Sequence, residues 1–228
     1  MKKNKDSGFT LLELLIVISI IAILSVALVI VLNPAETLRK SRDAQRLSDL
    51  STMKTAIGLY LTSAATPTLG NASSNATCKT TPATVWGTAG TFKIWYSLAS
   101  SSAITDTTLD GSTTTTPAFQ VTTPALTDGT GWIPINFGSL TGGSPISNIP
   151  VDPTNTIANL ASVASTDLVY RYACSVTPLA YEIDAQLESS AYTTAPNDLR
   201  ANDGGNSASY YETGTNLGIL GVGAGTDY

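Results

Sequence analysis

Histidine is absent from this chain, and only two of its 228 residues are cysteine. Histidine is the commonest general base and metal ligand in proteins, so its absence removes the usual Ser–His and Cys–His pairs and most zinc sites. The two cysteines, Cys78 and Cys174, form no CxxC motif. No constellation of catalytic residues can be named, and we expect a protein that is not an enzyme.

Charged residues are also scarce, at 13% of the chain. The chain has twelve acidic residues from Asp106 to Asp227 but only four basic residues after Lys54, which are Lys79, Lys93, Arg171 and Arg200. An acidic distal region repels a phosphate backbone, so we expect no nucleic-acid binding by this chain.

From Leu14 to Leu32 there is no charged residue, and every residue except Ser19 and Ser25 is Leu, Ile, Val or Ala. A helix over residues 9–32 rises about 36 Å, which is enough to cross a hydrocarbon core of about 30 Å. A helix that is apolar on every side belongs in lipid or in a packed bundle. The sequence therefore predicts a membrane-spanning helix.

The processing signal around this helix is unusual. Asn33-Pro34-Ala35-Glu36 follows the apolar stretch and offers no small-residue site of the kind that ends a secretory signal. The only candidate cut lies before the stretch, where a lysine-rich leader ends at Gly8. Cleavage there would keep the helix and give it a new amino terminus at Phe9.

Glu13 places a carboxylate inside the apolar segment, where a charge needs a partner or a proton. A new amine at Phe9 would lie four residues away on the same helical face, or the amine of a neighbouring copy could serve. A charge pair in a low dielectric is directional and could set the register of assembly. The residues alone also allow Glu13 to snorkel to the interface of a single-pass anchor.

The leader, Gly8 and the run from Phe9 to Val17 (FTLLELLIV) resemble the class III signal of type IV pilins and type II secretion pseudopilins. In that family a membrane peptidase cuts after the glycine and methylates the new amine. The resemblance thus implies cleavage after Gly8, N-methylation of Phe9 and an assembly role for Glu13. It also implies a lollipop-shaped fold with a helical stem and an exported head.

This resemblance implies a structural filament subunit, which forms a helical homo-oligomer together with minor pilins or pseudopilins. The other expected partners are prepilin peptidase, an inner-membrane assembly platform and, before assembly, membrane lipid. The precursor would cross the membrane once with its N-terminus in the cytoplasm, and the mature form would lie in an extracytoplasmic filament. Pilus and secretion pseudopilus are not separated by the sequence. The alternative is a single-pass anchored binding module that does not polymerise.

A second helix is predicted after a break at Asn33 and Pro34, because Asn is a preferred N-cap and Pro a preferred first helical residue. An apolar stripe then recurs at helical spacing to about Leu61; its members are Leu47, Leu50, Met53, Ile57 and Tyr60. The pairs Glu36–Lys40 and Arg39–Asp43 are spaced i,i+4 and are predicted on the solvated side.

Three strand-like runs follow, at residues 92–98, 168–174 and 180–185, and the last two read as a hairpin around Thr177-Pro178. The intervening stretches 62–90, 100–130 and 190–209 are rich in Thr, Ser, Gly and Asn and are predicted as loops. We expect an α+β fold in which a long N-terminal helix packs on a small antiparallel sheet. The predicted domains are a leader (1–8), a transmembrane or filament-core helix (9–32), an amphipathic stem half (33–62) and an extracytoplasmic head (63–228).

The head contains three weaker signals. Residues 132–155, followed by the tyrosine-rich hairpin, are similar to the middle of major pseudopilins. Cys78 and Cys174 could form a disulfide if the head is exported, or could be two unrelated buried thiols. Asp198, Asp203 and Asn206 carry oxygen ligands among glycines and could hold Ca²⁺, as major pseudopilins do near their C-terminus, although such a cluster more often forms a turn.

Overall fold

The structure is a computed structural model that describes residues 8–81, 86, 92–102, 104–106, 108 and 116–221. The leader prediction for residues 1–7 lies outside this range. The chain forms two compact units, Met1–Arg39 and Lys40–Tyr228.

The first unit contains helix α1, Leu11–Leu32, which confirms the long apolar helix. Every side chain of α1 is exposed. The helix ends at Asn33, whose φ of 39° and ψ of 71° place it in the left-handed region. Asn tolerates this region better than most residues. Helix α2, Pro34–Ser63, begins at the next residue, and Asn33 Oδ1 accepts the Glu36 N–H at 3.3 Å.

The second unit contains α2 from Lys40 onward and a mixed sheet. The predicted apolar stripe is confirmed: four of its five members are buried, whereas Leu47 is half-buried. One charge prediction is wrong, because Asp43 is completely buried rather than solvated. A helical period identifies an apolar stripe, but it does not reveal a charged residue that has a buried partner elsewhere in the chain.

The sheet has six strands in the order β2-β3-β1-β4-β5-β6. Their bounds are β1 Ile94–Ala99, β2 Thr105–Asp106, β3 Thr116–Val121, β4 Tyr170–Ser175, β5 Ala180–Ala185 and β6 Tyr211–Gly214. The three predicted strands correspond to β1, β4 and β5, and β4 and β5 pair as an antiparallel hairpin. The α+β prediction is therefore confirmed.

Two strands lie where a loop was predicted. Both β2 and β3 fall within residues 100–130, and β3 pairs with β1 in parallel. The edge strand β6 pairs with β5. These strands are short, and what stabilises them is a partner distant in sequence rather than a local pattern, so local composition did not reveal them.

Both faces of the sheet are covered. One face packs Tyr172, Tyr181 and Ile183 against the apolar stripe of α2. The opposite face carries Ala173 of β4 and lies under a second cluster that includes Trp86, Ile219 and Leu220. Successive strand residues point to opposite faces. For this reason every residue of β4 and β5 is buried. Polar side chains on the face opposite α2 therefore need hydrogen-bond partners inside the protein.

Candidate functional site

Helix α1 begins with a capping box. Thr10 is the N-cap, and its Oγ1 accepts the Glu13 N–H at 3.3 Å. The Glu13 Oε2 in turn accepts the Thr10 N–H at 2.9 Å and the Thr10 hydroxyl at 2.8 Å. A carboxylate at the third helical position satisfies amide groups that a helix start leaves free, and it also complements the helix dipole.

The capping box was missed in the sequence, although Thr10-Leu11-Leu12-Glu13 has the S/T-x-x-E pattern that signals one. Phe9 precedes the N-cap and its side chain is 80% exposed. Gly8 and Phe9 therefore lie before the first helical residue, Leu11. Glu13 is the sole charged residue between Gly8 and Glu36.

The surface of α1 is apolar over its whole circumference. By length and composition it can cross a membrane, and it is the one such helix in the described part of the chain. Its two hydroxyl side chains, Ser19 and Ser25, each bond back to the carbonyl four residues earlier, at 2.7 Å. Their polarity is thus satisfied within the helix, and α1 presents no unpaired side-chain hydroxyl to lipid or to another helix.

A buried ion network fixes α2 to the rest of the second unit. Arg46 is fully buried and donates from Nε to Asp152 at 2.7 Å and from Nη1 to Asp43 and Glu188, each at 2.7 Å. Asp43 also accepts the backbone N–H groups of Glu188 and Ser189. A buried guanidinium needs this many acceptors, because an unpaired buried charge costs several kcal/mol, of order 3–5. We call these residues, together with Arg42, the Arg46 network.

Charges in the Arg46 network shift one another's proton affinity. Burial alone would lower the pKa of Arg46, but its bonds to Asp152, Glu188 and Asp43 raise it above the usual value. The hydrogen bonds from Arg42, and those from Arg46, lower the pKa of Glu188 to about 2. Arg46 and Glu188 are therefore both ionised at neutral pH.

The two cysteines are joined. The Sγ atoms of Cys78 and Cys174 are 2.03 Å apart and link the segment before β1 to strand β4 across 96 residues. Backbone bonds continue the link, since the Lys79 N–H donates to the Cys174 carbonyl and the Val176 N–H to the Lys79 carbonyl, each at 2.8 Å.

Two of the three residues considered for Ca²⁺, Asp198 and Asp203, have other partners in the structure. Asp198 forms an ion pair with Arg200 at 2.8 Å. Asp203 accepts the N–H of Gly205 at 2.8 Å and that of Glu212 at 2.7 Å. Both side-chain polar atoms of Asn206 are buried without a hydrogen bond. Among the described residues, no group of three or more Asp, Glu, His or Cys is placed to hold a metal ion.

Comparison with known proteins gives one match, at the N-terminus. Residues 3–29 match the family model described as the prokaryotic N-terminal methylation motif. No curated protein and no solved structure matches the chain. The matched residues include Gly8, Phe9, the capping box and most of α1. The chain therefore carries a prokaryotic N-terminal methylation motif, which supports the N-terminal resemblance to type IV pilins and pseudopilins over residues 3–29.

Proposed function

We propose that this chain is the precursor of a structural filament subunit, cut after Gly8, N-methylated at Phe9 and polymerised through α1. The observation that carries the proposal is that the methylation motif coincides with a helix whose side chains are all apolar or internally bonded, and all exposed. Such a surface must be covered by lipid or by other helices. Lipid covers it in the precursor, and copies of the same helix cover it in the filament.

Glu13 supplies directionality in this proposal. Cleavage creates an amine at Phe9, and the carboxylate of Glu13 pairs with the amine of a neighbouring copy as that copy enters the filament. In the uncut chain the carboxylate is occupied by Thr10, so the precursor does not carry an unsatisfied charge. Prepilin peptidase, an assembly platform and minor subunits are the partners that this role requires, and the filament is extracytoplasmic.

The capping box also favours a second candidate function. Because Thr10 already satisfies Glu13, the carboxylate needs no partner in another chain. The chain would then be a single-pass anchored module that presents its second unit for binding and does not polymerise. Filament formation by the purified mature chain separates the two candidates.

N-terminal mass analysis of the chain, produced in cells together with a prepilin peptidase, tests the processing step. We expect a mature chain that starts at methylated Phe9. The variant Gly8→Leu should remain uncut and serves as the matched control. A chain that retains Met1, or one that is cut after Leu32, would contradict the proposed processing.

A further inference from the structure

The face of the sheet opposite α2 holds more buried acids than bases. Asp184 on β5 and Asp106 on β2 both bond to Arg171 of β4, so this guanidinium has two carboxylate partners. Glu182 on β5 and Glu212 on β6 lie on the same face and are at most 2% exposed. In the described part of the chain neither of these glutamates forms an ion pair.

The strand register brings the two glutamates together. Asp184 lies opposite Glu212, and Glu182 lies opposite Gly214, so Glu182 and Glu212 are diagonal neighbours on one face. The side chain of Glu212 also contributes to raising the pKa of Glu182. A Cβ at Gly205 would overlap Oε2 of Glu212, so glycine at this position leaves room for the carboxyl group.

Each glutamate uses one oxygen and leaves the other without a partner. Glu182 Oε2 accepts the N–H groups of Ile219 at 2.7 Å and Leu220 at 2.8 Å. Glu212 Oε2 accepts the Ser207 N–H at 2.9 Å. Oε1 of Glu182 and Oε1 of Glu212 are both buried and have no hydrogen-bond donor. A buried carboxylate oxygen without a donor is costly, and a single proton between the two groups would remove the cost for both.

We propose that Glu182 and Glu212 share one proton, and that this proton holds segment 218–221 against the sheet. Ile219 and Leu220 of this segment are buried. The carbonyl of Ile219 accepts from Lys79 Nζ and from Trp86 Nε1, each at 3.0 Å. When the proton is lost, repulsion between two buried carboxylates displaces Glu182, and the N–H groups of Ile219 and Leu220 lose their acceptor.

The surrounding charges favour the protonated pair. Burial and the neighbouring carboxyl raise the pKa of Glu182 well above its usual value, and burial raises that of Glu212. Asp184 and Asp203 add negative charge nearby, whereas Arg171 is bonded to Asp184 and Asp106, and Lys79 donates to the carbonyl of Ile219. Tyr210 and Tyr96, whose pKa values are also raised, remain neutral.

The direction of the pH effect follows from this shift. The folded chain holds the proton more tightly than the unfolded chain, so the stabilisation is complete below the ordinary glutamate value of 4.5 and declines as pH rises through the raised pKa of the pair. Segment 218–221 is therefore expected to open more often in alkaline solution.

Hydrogen exchange of the Ile219 and Leu220 amides tests the proposal, in the full chain in detergent and after correction for intrinsic exchange. Between about pH 5 and about pH 9, we expect their opening to increase by up to about tenfold per pH unit. In Glu212→Gln the new amide donates permanently to Glu182 while its oxygen keeps the Ser207 bond, so opening should no longer depend on pH. The matched control Asp128→Asn, an exposed acid, should behave as the unmodified chain.

Two further measurements decide between outcomes. The infrared band of a protonated carboxyl group should be present in the unmodified chain at neutral pH and absent from Glu212→Gln. If Glu212→Gln does not fold, the unmodified chain alone provides the test. Loss of its band in alkaline solution, together with opening of segment 218–221, then supports the proposal. Absence of the band in the unmodified chain would overturn it. Restored protection on addition of Na⁺, Mg²⁺ or Ca²⁺ at alkaline pH would show that a cation occupies the position, which also overturns it.

Discussion

Glu13 has two properties that can be separated chemically: it accepts hydrogen bonds at the start of α1, and it carries a charge. The hydrogen bonds connect it to Thr10 in its own chain. The charge is needed only if a cationic partner arrives from outside, as the amine of a processed neighbour would. The filament proposal depends on the charge, whereas the anchored-module alternative needs only the hydrogen bonds with Thr10.

Glu13→Gln is therefore the informative substitution, because glutamine keeps the acceptor of a capping box and removes the charge. We expect normal membrane insertion and cleavage, but a filament yield lower by about tenfold or more. Loss of about 1.4 kcal/mol at each contact between subunits lowers the association constant tenfold. Electron microscopy and sedimentation of the mature chain measure the yield. Thr10→Ala, which keeps the carboxylate and loses the cap, should still form filaments. Equal yields from the glutamine variant and the unmodified chain would count against charge pairing.

At the residue scale, the contacts of the Arg46 network could not be predicted from the sequence. The apolar stripe of α2 was predictable because every member is local and repeats at a helical period. Asp43 was placed on the solvated side by the same period, yet it is buried against Arg46 and the amides of Glu188 and Ser189. No local pattern connects residues 43 and 188, so this contact becomes visible only once the chain is folded.

At the scale of elements, α2 is held to the segment after β5 by Glu188, which bonds to Arg42 and Arg46. These bonds lower the pKa of Glu188 from 4.5 to about 2. A lowered pKa means that the stabilisation is present above 4.5 and is lost as pH falls towards 2. Acid should therefore loosen the attachment of α2 before it affects the apolar stripe.

Urea unfolding of the full chain in detergent, followed by tryptophan fluorescence at several pH values, measures this effect. Glu188→Gln should reduce the free energy of unfolding at neutral pH by about 1–3 kcal/mol, because bonds to charged groups are lost. The same variant should lose less stability than the unmodified chain between pH 4.5 and about 2. Arg42→Ala should move the acid transition to higher pH. Parallel pH profiles for all three chains would contradict this assignment.

Some strands of the sheet were predictable from the sequence and others were not. Strands β4 and β5 alternate in character and are joined by a short turn, so the hairpin is encoded locally. Strand β3 pairs in parallel with β1 across a long threonine-rich connection, and β6 is a four-residue edge strand. The pairing of parallel strands depends on the fold as a whole, and composition alone predicted a loop where β3 lies. No element was predicted for the residues of β6.

At the scale of the whole molecule, the disulfide between Cys78 and Cys174 joins two residues of the second unit that are 96 positions apart in sequence. Closing a long loop restricts the unfolded chain, which stabilises the folded one by about 2–5 kcal/mol. The double variant Cys78→Ser, Cys174→Ser should lower the urea midpoint accordingly. A reductant should shift the unmodified chain in the same direction and leave the double variant unchanged. No shift of the unmodified chain on full reduction would refute this estimate.

The capping box described at the start of α1 also bears on proteolysis. Thr10 is extended, with φ −79° and ψ 150°, and the first helical residue is Leu11. The peptide bond between Gly8 and Phe9 thus lies outside the helix, where no helical hydrogen bond has to be broken before a peptidase can bind the backbone. Glycine adds no side chain on the leaving side of that bond. Under the proposed cleavage after Gly8, Thr10 and Glu13 keep the cut bond outside the helix by fixing where the helix begins. A substitution that extended the helix towards the leader would then slow maturation without changing Gly8 or Phe9.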